Sequence, residues 1–285
     1  MSQLKTVAFL GAGVMGAPMA KNLGKAGFDV RLWNRSADKA EAASGDGVSA
    51  VSSIGQALSG AEVLITMLTD AASVNMVIDS CREQIEPGTI WVQMSTVGAK
   101  IDGLNEVADQ LGVTLIDAPV LGTKAPAEQG QLIILASGDQ QLEDKLAPLF
   151  GAMGSKTNWV SSKVGDSSRL KLALNSWVLA LTHATAEALT IAKTLGVDPS
   201  LVPEILKGGP LDCGYLQLKS QAMLEGNFET NFSANNAAKD ARLIREATEA
   251  QGQIMDLVVA GQNRFLRMIQ AGHGEKDMAA SFLAK

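Results

Sequence analysis

The feature that most restricts the fold is a glycine-rich turn placed directly after a short apolar segment near the start of the chain. Val7-Ala8-Phe9-Leu10 predicts a buried strand, and Gly11-Ala12-Gly13-Val14-Met15-Gly16 follows without a gap. A helical pattern then continues as far as Gly27. A strand, a GxGxxG turn and a helix in this order are typical of a dinucleotide-binding domain, because the glycines permit the tight turn and the approach of a pyrophosphate. We expect all six turn residues to contact such a cofactor.

Short apolar segments continue to alternate with helical patterns up to about residue 160. The strongest are residues 30–33, 63–68, 89–94 and 132–136. Strands that are apolar throughout are buried on both faces, and their alternation with helices favours a parallel sheet. We therefore predict that residues 1–164 form an α/β domain with the doubly wound Rossmann fold.

The pattern changes after Gly165. Residues 167–195 contain no proline and no strand pattern, and Leu170, Leu174, Trp177 and Val178 recur at helical spacing. This predicts one helix about 40 Å long, with these side chains on its buried face. Only helical patterns follow. Residues 165–285 are predicted to form an all-helical domain for substrate binding and dimerisation, joined to the first domain by the long helix.

The end of the second predicted strand indicates which dinucleotide binds. An NAD site usually has an acidic residue there to bind the ribose hydroxyls, but this chain has Asn34-Arg35-Ser36 and no acid before Asp38. Arg35 can pair with a 2′-phosphate, and Asn34 and Ser36 can donate hydrogen bonds to it. We predict NADPH (NADP+) as cofactor, with NADH less favoured; the alternative is that Arg35 is only a solvated surface residue. Met67 and Leu68 are further predicted cofactor contacts.

Composition excludes several other classes of function. The formal net charge is −6 and the chain has no run of Lys and Arg, which argues against binding to nucleic acid. No apolar segment reaches the roughly 20 residues that span a bilayer. Two distant cysteines and two histidines predict no metal site. The first residues lack the pattern of a signal peptide, so we expect a cytoplasmic protein.

Two polar residues stand out on the long predicted helix. Lys171 and Asn175 are four residues apart and so share one helix face, among leucines and alanines. Polar groups in such surroundings need partners or a wet cleft. From spacing alone, a lysine that extends into solvent is the more common arrangement.

Several separated segments together resemble the β-hydroxyacid dehydrogenase family, which includes 3-hydroxyisobutyrate dehydrogenase and the glyoxylate/succinic semialdehyde reductases. The resemblance spans nearly the whole chain. It rests on the glycine turn, Met94-Ser95-Thr96, Asp117-Ala118-Pro119-Val120 with Gly122 and Gly130, Gly165 through Lys171 and Asn175, and Phe232 with Lys239-Asp240.

The resemblance implies an NADPH-dependent oxidoreductase that acts on a small aldehyde, keto acid or β-hydroxy acid in a cleft between the domains. Lys171 would be the catalytic general acid and base, and Asn175 would orient Lys171 or the substrate. The residues implied to hold the substrate are Ser95, Gly122, Thr123 and Lys239, of which Ser95 and Lys239 would also lie near the nicotinamide. The resemblance also implies a homodimer or homotetramer.

Three positions depart from the family pattern. Leu121 stands where the family often has a serine, Gln93 where an aspartate is usual, and Ser167 where a second glycine precedes the lysine. Because Leu121 cannot donate a hydrogen bond, a substrate carboxylate is not required by this sequence. An imine reductase of the same fold and a non-catalytic NADP-binding structural protein are the alternatives; Lys171 and Asn175 argue against both.

Overall fold

The computed structural model describes residues 4–284 of the 285-residue chain. The chain divides into two units, Met1–Lys171 and Leu172–Lys285. The boundary predicted after residue 164 would place the whole long helix in the second domain. In the structure, the first turn of that helix belongs to the first unit, because its amides bond to side chains of the sheet, as described below.

The first unit contains one sheet with helices on both faces. Within the described residues its strands are β1 (Thr6–Leu10), β2 (Asp29–Trp33), β3 (Val48–Ala50), β4 (Val63–Thr66), β5 (Ile90–Gln93), β6 (Thr114–Asp117), β7 (Val120–Leu121), β8 (Leu132–Ser137) and β9 (Gly154–Ser161). Its helices are α1 (Gly16–Lys25), α2 (Ala37–Glu41), α3 (Ile54–Leu58), α4 (Ala71–Asp79), α5 (Ile101–Leu111), α6 (Lys124–Glu128) and α7 (Glu143–Met153).

The strand order is β3-β2-β1-β4-β5-β6-β8-β7, with β9 beside β8. The first six strands in this order are parallel and have the order of the doubly wound dinucleotide-binding fold. The predicted Rossmann domain is confirmed. The alternation of strands and helices predicted parallel pairing throughout, but β8 runs antiparallel to both β6 and β7. The short β7 and α6 turn the chain between β6 and β8, and the sequence pattern did not reveal them.

Successive residues of the central strands point to opposite faces of the sheet. On one face Phe9 and Ile65 pack in a cluster with Met19 and Leu23 of α1. On the other face Leu10, Leu64 and Trp91 pack in a second cluster with residues of α4 and α5. Both faces are therefore apolar, which explains why the strands read as unbroken hydrophobic segments. Because both faces are covered by apolar side chains, polar groups of the sheet can lie together at its carboxyl edge.

The second unit is helical, as predicted. It contains most of α8 (Asp166–Thr194), followed by α9 (Leu201–Leu206), α10 (Gly214–Glu225), α11 (Ala234–Glu249) and α12 (Asp256–Met268). Its main core contains Leu172 and Leu179 from α8, Ile244 from α11, and Phe265 and Met268 from α12. No helix within residues 4–284 combines the length and the apolar character that a membrane span requires.

The long helix forms as predicted, but the prediction of its buried face was wrong. Trp177 is 65% exposed and Leu170 is 37% exposed. The buried face instead contains Lys171, Leu172, Asn175, Leu179, Thr182, Ala186 and Leu189. The helix has apolar residues on several sides, so helical spacing alone does not decide which side is covered.

Candidate active site

The glycine turn lies at the carboxyl end of β1, and a different structural reason explains why glycine occupies each of its three glycine positions. Gly11 has a φ of +120°, and a Cβ there would overlap the carbonyl oxygen of Met67. A Cβ on Gly16 would overlap the carbonyl oxygen of Gly11. Nothing lies within 4 Å of the position of a Cβ on Gly13. Close packing therefore requires the first and third glycines, while the second leaves open backbone that a phosphate can approach.

Helix α1 begins at this turn. Its N-cap residue, Met15, makes no side-chain capping hydrogen bond, and its first turn contains no acidic residue. The N-terminus of a helix carries unpaired N–H groups and a partial positive charge, which together favour an anion. The turn and the helix thus present the surroundings that a pyrophosphate needs.

Asn34, at the end of β2, closes the glycine turn. Its Oδ1 accepts a hydrogen bond from the Ala12 amide at 3.0 Å, and its Nδ2 donates to the Ser36 carbonyl oxygen at 2.9 Å. The side chains of Arg35 and Ser36 are exposed beside it. Asn34 is therefore engaged in shaping the turn, and Arg35 and Ser36 are the accessible members of the predicted cofactor group.

The ends of β4 and β5 are bound together by Ser95. Its buried Oγ accepts from the Leu68 amide at 2.8 Å and donates to the Thr66 carbonyl oxygen at 3.3 Å. Gln93 bonds the backbone of Ser95 twice, accepting at 2.7 Å and donating at 2.9 Å. An aspartate in place of Gln93 would only accept. Ser95 thus shapes the turn that holds Met67 and Leu68, and its contact with substrate remains a prediction.

Gly122 and Thr123 connect β7 to α6. Gly122 has a φ of +133°, and a Cβ there would lie 2.7 Å from Cδ2 of Leu132. Thr123 is half-buried at the N-cap of α6, where its side chain makes no capping hydrogen bond. The glycine is required by the backbone, and the role of both residues in substrate binding remains a prediction.

The first turn of α8 is fixed to the carboxyl end of the sheet by buried side chains. The Ser168 amide donates to Asp117 Oδ2 at 2.7 Å, and the Ser168 hydroxyl donates to Asp117 Oδ1 at 2.7 Å. The Ser167 amide donates to Ser137 Oγ at 3.1 Å. Lys171, which is also buried, lies three residues further along the helix.

Asp117 was named from the sequence only as part of the family motif and was not predicted to be a site residue. Burial raises the pKa of its carboxyl to about 6, although the hydrogen bonds from Ser168 and the charge of Arg169 act in the opposite direction. Its partner lies 51 residues away along the chain, so no local pattern revealed the contact. The available signal was an acidic residue at the carboxyl end of a buried parallel strand.

In the second unit, Asp240 brings two of the predicted site residues together. Asn175 Nδ2 donates to Asp240 Oδ2 at 2.7 Å, and Lys239 Nζ lies 2.9 Å from Asp240 Oδ1. An ionised carboxylate can only accept hydrogen bonds, so the amide of Asn175 must turn its nitrogen towards Asp240 and its oxygen away. On α8, Asn175 lies one helical turn after Lys171.

Comparison with known proteins assigns the chain to a family. Residues 6–161 match the NAD-binding domain of 6-phosphogluconate dehydrogenase, and residues 165–283 match the NAD-binding domain of NADP-dependent 3-hydroxyisobutyrate dehydrogenase. The chain belongs to the β-hydroxyacid dehydrogenase family. The resemblance inferred from the separated sequence segments is thereby confirmed.

Curated relatives of this family member cover nearly all of the chain. Glyoxylate/succinic semialdehyde reductase 1 of Arabidopsis thaliana is 31% identical over 278 residues, which is 96% of each chain. The chloroplastic reductase 2 of the same plant is 31% identical over 96% of this chain and 78% of its own length. The cytokine-like nuclear factor N-PAC of Homo sapiens is 30% identical over 98% of this chain, which spans 51% of that protein.

Solved structures show the same fold. The 3-hydroxyisobutyrate dehydrogenase of Mycobacterium tuberculosis, solved with L-serine, has a TM-score of 0.89 and 26% identity over 99% of each chain. An imine reductase from a Pseudomonas species has a TM-score of 0.64 and 20% identity over 99% of each chain, a likeness that is limited to the fold.

A nicotinamide dinucleotide is the cofactor that this family implies, and the residues present fit it. The open backbone at Gly13, the uncapped start of α1 and the absence of an acid at Asn34-Arg35-Ser36 all suit the phosphates of such a molecule. Among the described residues 4–284, no group of three or more His, Cys, Asp or Glu side chains is placed to hold a metal ion.

Proposed function

We propose that this β-hydroxyacid dehydrogenase is an NADPH-dependent reductase of small aldehydes or keto acids, with the corresponding hydroxy acid as substrate in reverse. The single observation that supports this proposal most is that Asp117, at the carboxyl end of β6, binds Ser168, which lies three residues before Lys171 on α8. The glycine turn follows β1 at the same edge of the same parallel sheet. Dinucleotides bind across this edge, with one half of the fold for each mononucleotide.

The geometry within the first unit suggests how the two halves are used. Arg35, after β2, lies on the side of the adenosine half, and β4 to β6 form the other half. Three strand spacings separate β1 from β6, or about 14 Å, so Lys171 belongs to the half that would receive the nicotinamide. The cofactor supplies or accepts the hydride at this end of the edge.

Lys171 would handle the proton that accompanies the hydride. In reduction its ammonium donates a proton to the carbonyl oxygen, directly or through water, and it stabilises the negative charge that develops on that oxygen. In oxidation its amine accepts the hydroxyl proton. Asn175, whose amide oxygen is directed away from Asp240, would accept a hydrogen bond from Lys171 or from the substrate. Thr123 and Lys239 would contribute to substrate binding.

The proposed reaction is tested by a screen of substrates against both cofactors. Glyoxylate and succinic semialdehyde, which the names of the Arabidopsis reductases contain, are assayed for oxidation of NADPH and NADH, and 3-hydroxyisobutyrate is assayed for the reverse reaction. A cyclic imine tests the imine reductase alternative. Turnover of an aldehyde or keto acid is expected. Tight binding of NADPH without turnover of any compound would support the non-catalytic alternative and contradict the proposal.

The choice of cofactor makes a separate prediction at Arg35. If its guanidinium pairs with the 2′-phosphate, Arg35→Ala should raise the KM for NADPH about 10- to 100-fold, the range expected for loss of a hydrogen bond to a charged group. The KM for NADH should change little. The matched control is Arg82→Ala, a surface arginine beside Asp79. Equal changes in KM for both cofactors would show that Arg35 does not recognise the 2′-phosphate.

The helical unit also supports self-association. Ile205, Leu211 and Leu195 are exposed, at 77%, 75% and 74%, and so is Trp177. A partner subunit could cover these side chains, and the family resemblance implies such a partner. We propose a homodimer or homotetramer, which light scattering of the purified protein would measure; a monomer at micromolar concentration would contradict it.

A cytoplasmic location remains a prediction.

A further inference from the structure

Asp117 and Ser137 are the last residues of β6 and β8, and they stand opposite each other in the sheet. Their side chains accept hydrogen bonds from two consecutive amides of α8, those of Ser168 and Ser167. All four residues are buried. The two strands and the first turn of the helix are thus joined by side-chain bonds at the end where the sheet meets α8.

A buried carboxylate that accepts hydrogen bonds from the start of a helix loses its hydration, which costs free energy. Burial raises the pKa of Asp117 to about 6, so at neutral pH the charged form is held there against its desolvation cost. A neutral cap such as serine or asparagine would serve the stability of a helix about as well. The arrangement is better explained by what it fixes: Ser168 is bonded through both its amide and its hydroxyl, and Lys171 follows three residues later on the same helix.

We infer that Asp117 is a positioning residue for Lys171. By holding Ser168 at two points it fixes the rotation and the height of the first turn of α8 relative to the edge of the sheet, and hence the place from which the ammonium group extends. Ser137 adds a third point through Ser167. This inference rests on the proposed function, because it assigns the purpose of the contact to catalysis by Lys171. Catalytic groups displaced by about 1 Å can lose about 10²-fold in rate.

The variants form a graded series. Ser168→Ala removes the hydroxyl bond and leaves the amide bond, whereas Asp117→Ala removes both. Asp117→Asn keeps both, because its amide oxygen can accept from the Ser168 N–H and its amide nitrogen can donate to the Ser168 hydroxyl. Asp70→Ala is the matched control: Asp70 accepts from the amide of Ser73 at 2.8 Å and from its hydroxyl at 2.7 Å, at the start of α4.

Activity of the wild type and of Lys171→Ala is measured first, and absence of wild-type turnover would count against the proposed function alone. We then expect kcat to fall about 10- to 100-fold in Asp117→Ala and less in Ser168→Ala, with the KM for NADPH within about twofold of wild type. Asp117→Asn should restore kcat. Asp70→Ala should lower thermal stability without changing kcat. A kcat loss in Asp117→Ala no larger than in Asp70→Ala, or no rescue by Asp117→Asn, would overturn the positioning role.

Hydrogen exchange supplies a readout that does not depend on turnover or on the most disruptive variant. The amides of residues 167–171 should exchange faster in Ser168→Ala than in the wild type, while those of α4 are unchanged. Asp70→Ala should give the opposite result. Equal exchange of residues 167–171 in the wild type and Ser168→Ala would overturn the inference even if the protein reduced none of the compounds tried.

Discussion

Replacement of Lys171 by alanine should reduce kcat by at least about 10²-fold, the lower scale for loss of a general acid or base, and leave the fold intact. The side chain is buried in the second turn of α8, and the first turn of that helix is held to the sheet by the amides of Ser167 and Ser168 and by the hydroxyl of Ser168. The KM for NADPH should stay near the wild-type value. Steady-state kinetics with the best substrate of the screen measures both quantities.

Two further variants separate the possible roles of Lys171. Lys171→Arg keeps a positive charge but cannot exchange its proton at neutral pH, so it should remain as slow as the alanine variant if proton transfer is the role. Recovery of rate in Lys171→Arg would indicate electrostatic stabilisation alone. Lys193→Ala, an exposed lysine on the same helix, is the control and should retain full activity. Near-normal rates in Lys171→Ala would refute the assignment.

The parts of the fold that the sequence predicted are those set by local patterns. At Gly11 and Gly16 the turn requires a backbone conformation or a close approach that only glycine tolerates, so its position is visible in the sequence. The central strands are buried on both faces and are therefore uniformly apolar. These two signals together specify five of the six parallel strands; the three-residue β3, with the sequence VSA, was not predicted.

The parts that the sequence did not predict depend on long-range packing. Helical spacing predicted α8, but the covered side carries Lys171 and Asn175, while Trp177 is exposed. A helix with apolar residues on several sides can be packed in more than one rotation, and the choice is made by partners far away in sequence. The antiparallel β8 likewise depends on the short β7 and α6, which are too brief to show a period.

In the candidate site, too, the features set by local patterns were predictable from the sequence and the long-range contacts were not. Asn34, Met67, Leu68 and Ser95 were predicted as contacts of ligands, and the structure gives Asn34 and Ser95 bonds that shape the glycine turn and the β4 turn. Their neighbourhood was predictable because all follow strands of one parallel sheet. Their individual hydrogen bonds were not, because donor and acceptor lie more than twenty residues apart.

Two buried ionisable groups, His183 and Asp117, should make the stability of the protein depend on pH in opposite directions. His183 in α8 packs against Phe265, with ring centroids 4.3 Å apart, and both of its ring nitrogens are buried without a hydrogen-bond partner. Burial, aided by the charges of Arg264 and Arg267, lowers its pKa to about 4 from 6.5. Burial raises the pKa of Asp117 to about 6 from 3.8.

The direction of each effect on stability follows from which state binds the proton. Between pH 6.5 and 4 the unfolded chain protonates His183 and the folded chain does not, so this residue makes the protein lose stability as the pH falls. Between pH 3.8 and 6 the folded chain retains the proton of Asp117, so this residue makes the protein lose stability as the pH rises. Each shift corresponds to up to about 3 kcal/mol.

When either residue is replaced, the pH dependence of the free energy of unfolding should therefore reflect mainly the other residue. His183→Leu removes the titrating ring, and its free energy of unfolding relative to wild type should increase as the pH falls from 6.5 to 4. Asp117→Asn should gain relative to wild type as the pH rises from 4 to 6. Urea unfolding of the wild type, the single variants and the double variant between pH 4 and 8 measures this, and the double variant should depend least on pH. A stability difference for His183→Leu that is the same at pH 7 and pH 4.5 would show that the imidazole is not held neutral by the fold, because only a group whose pKa differs between the folded and unfolded states can make stability depend on pH.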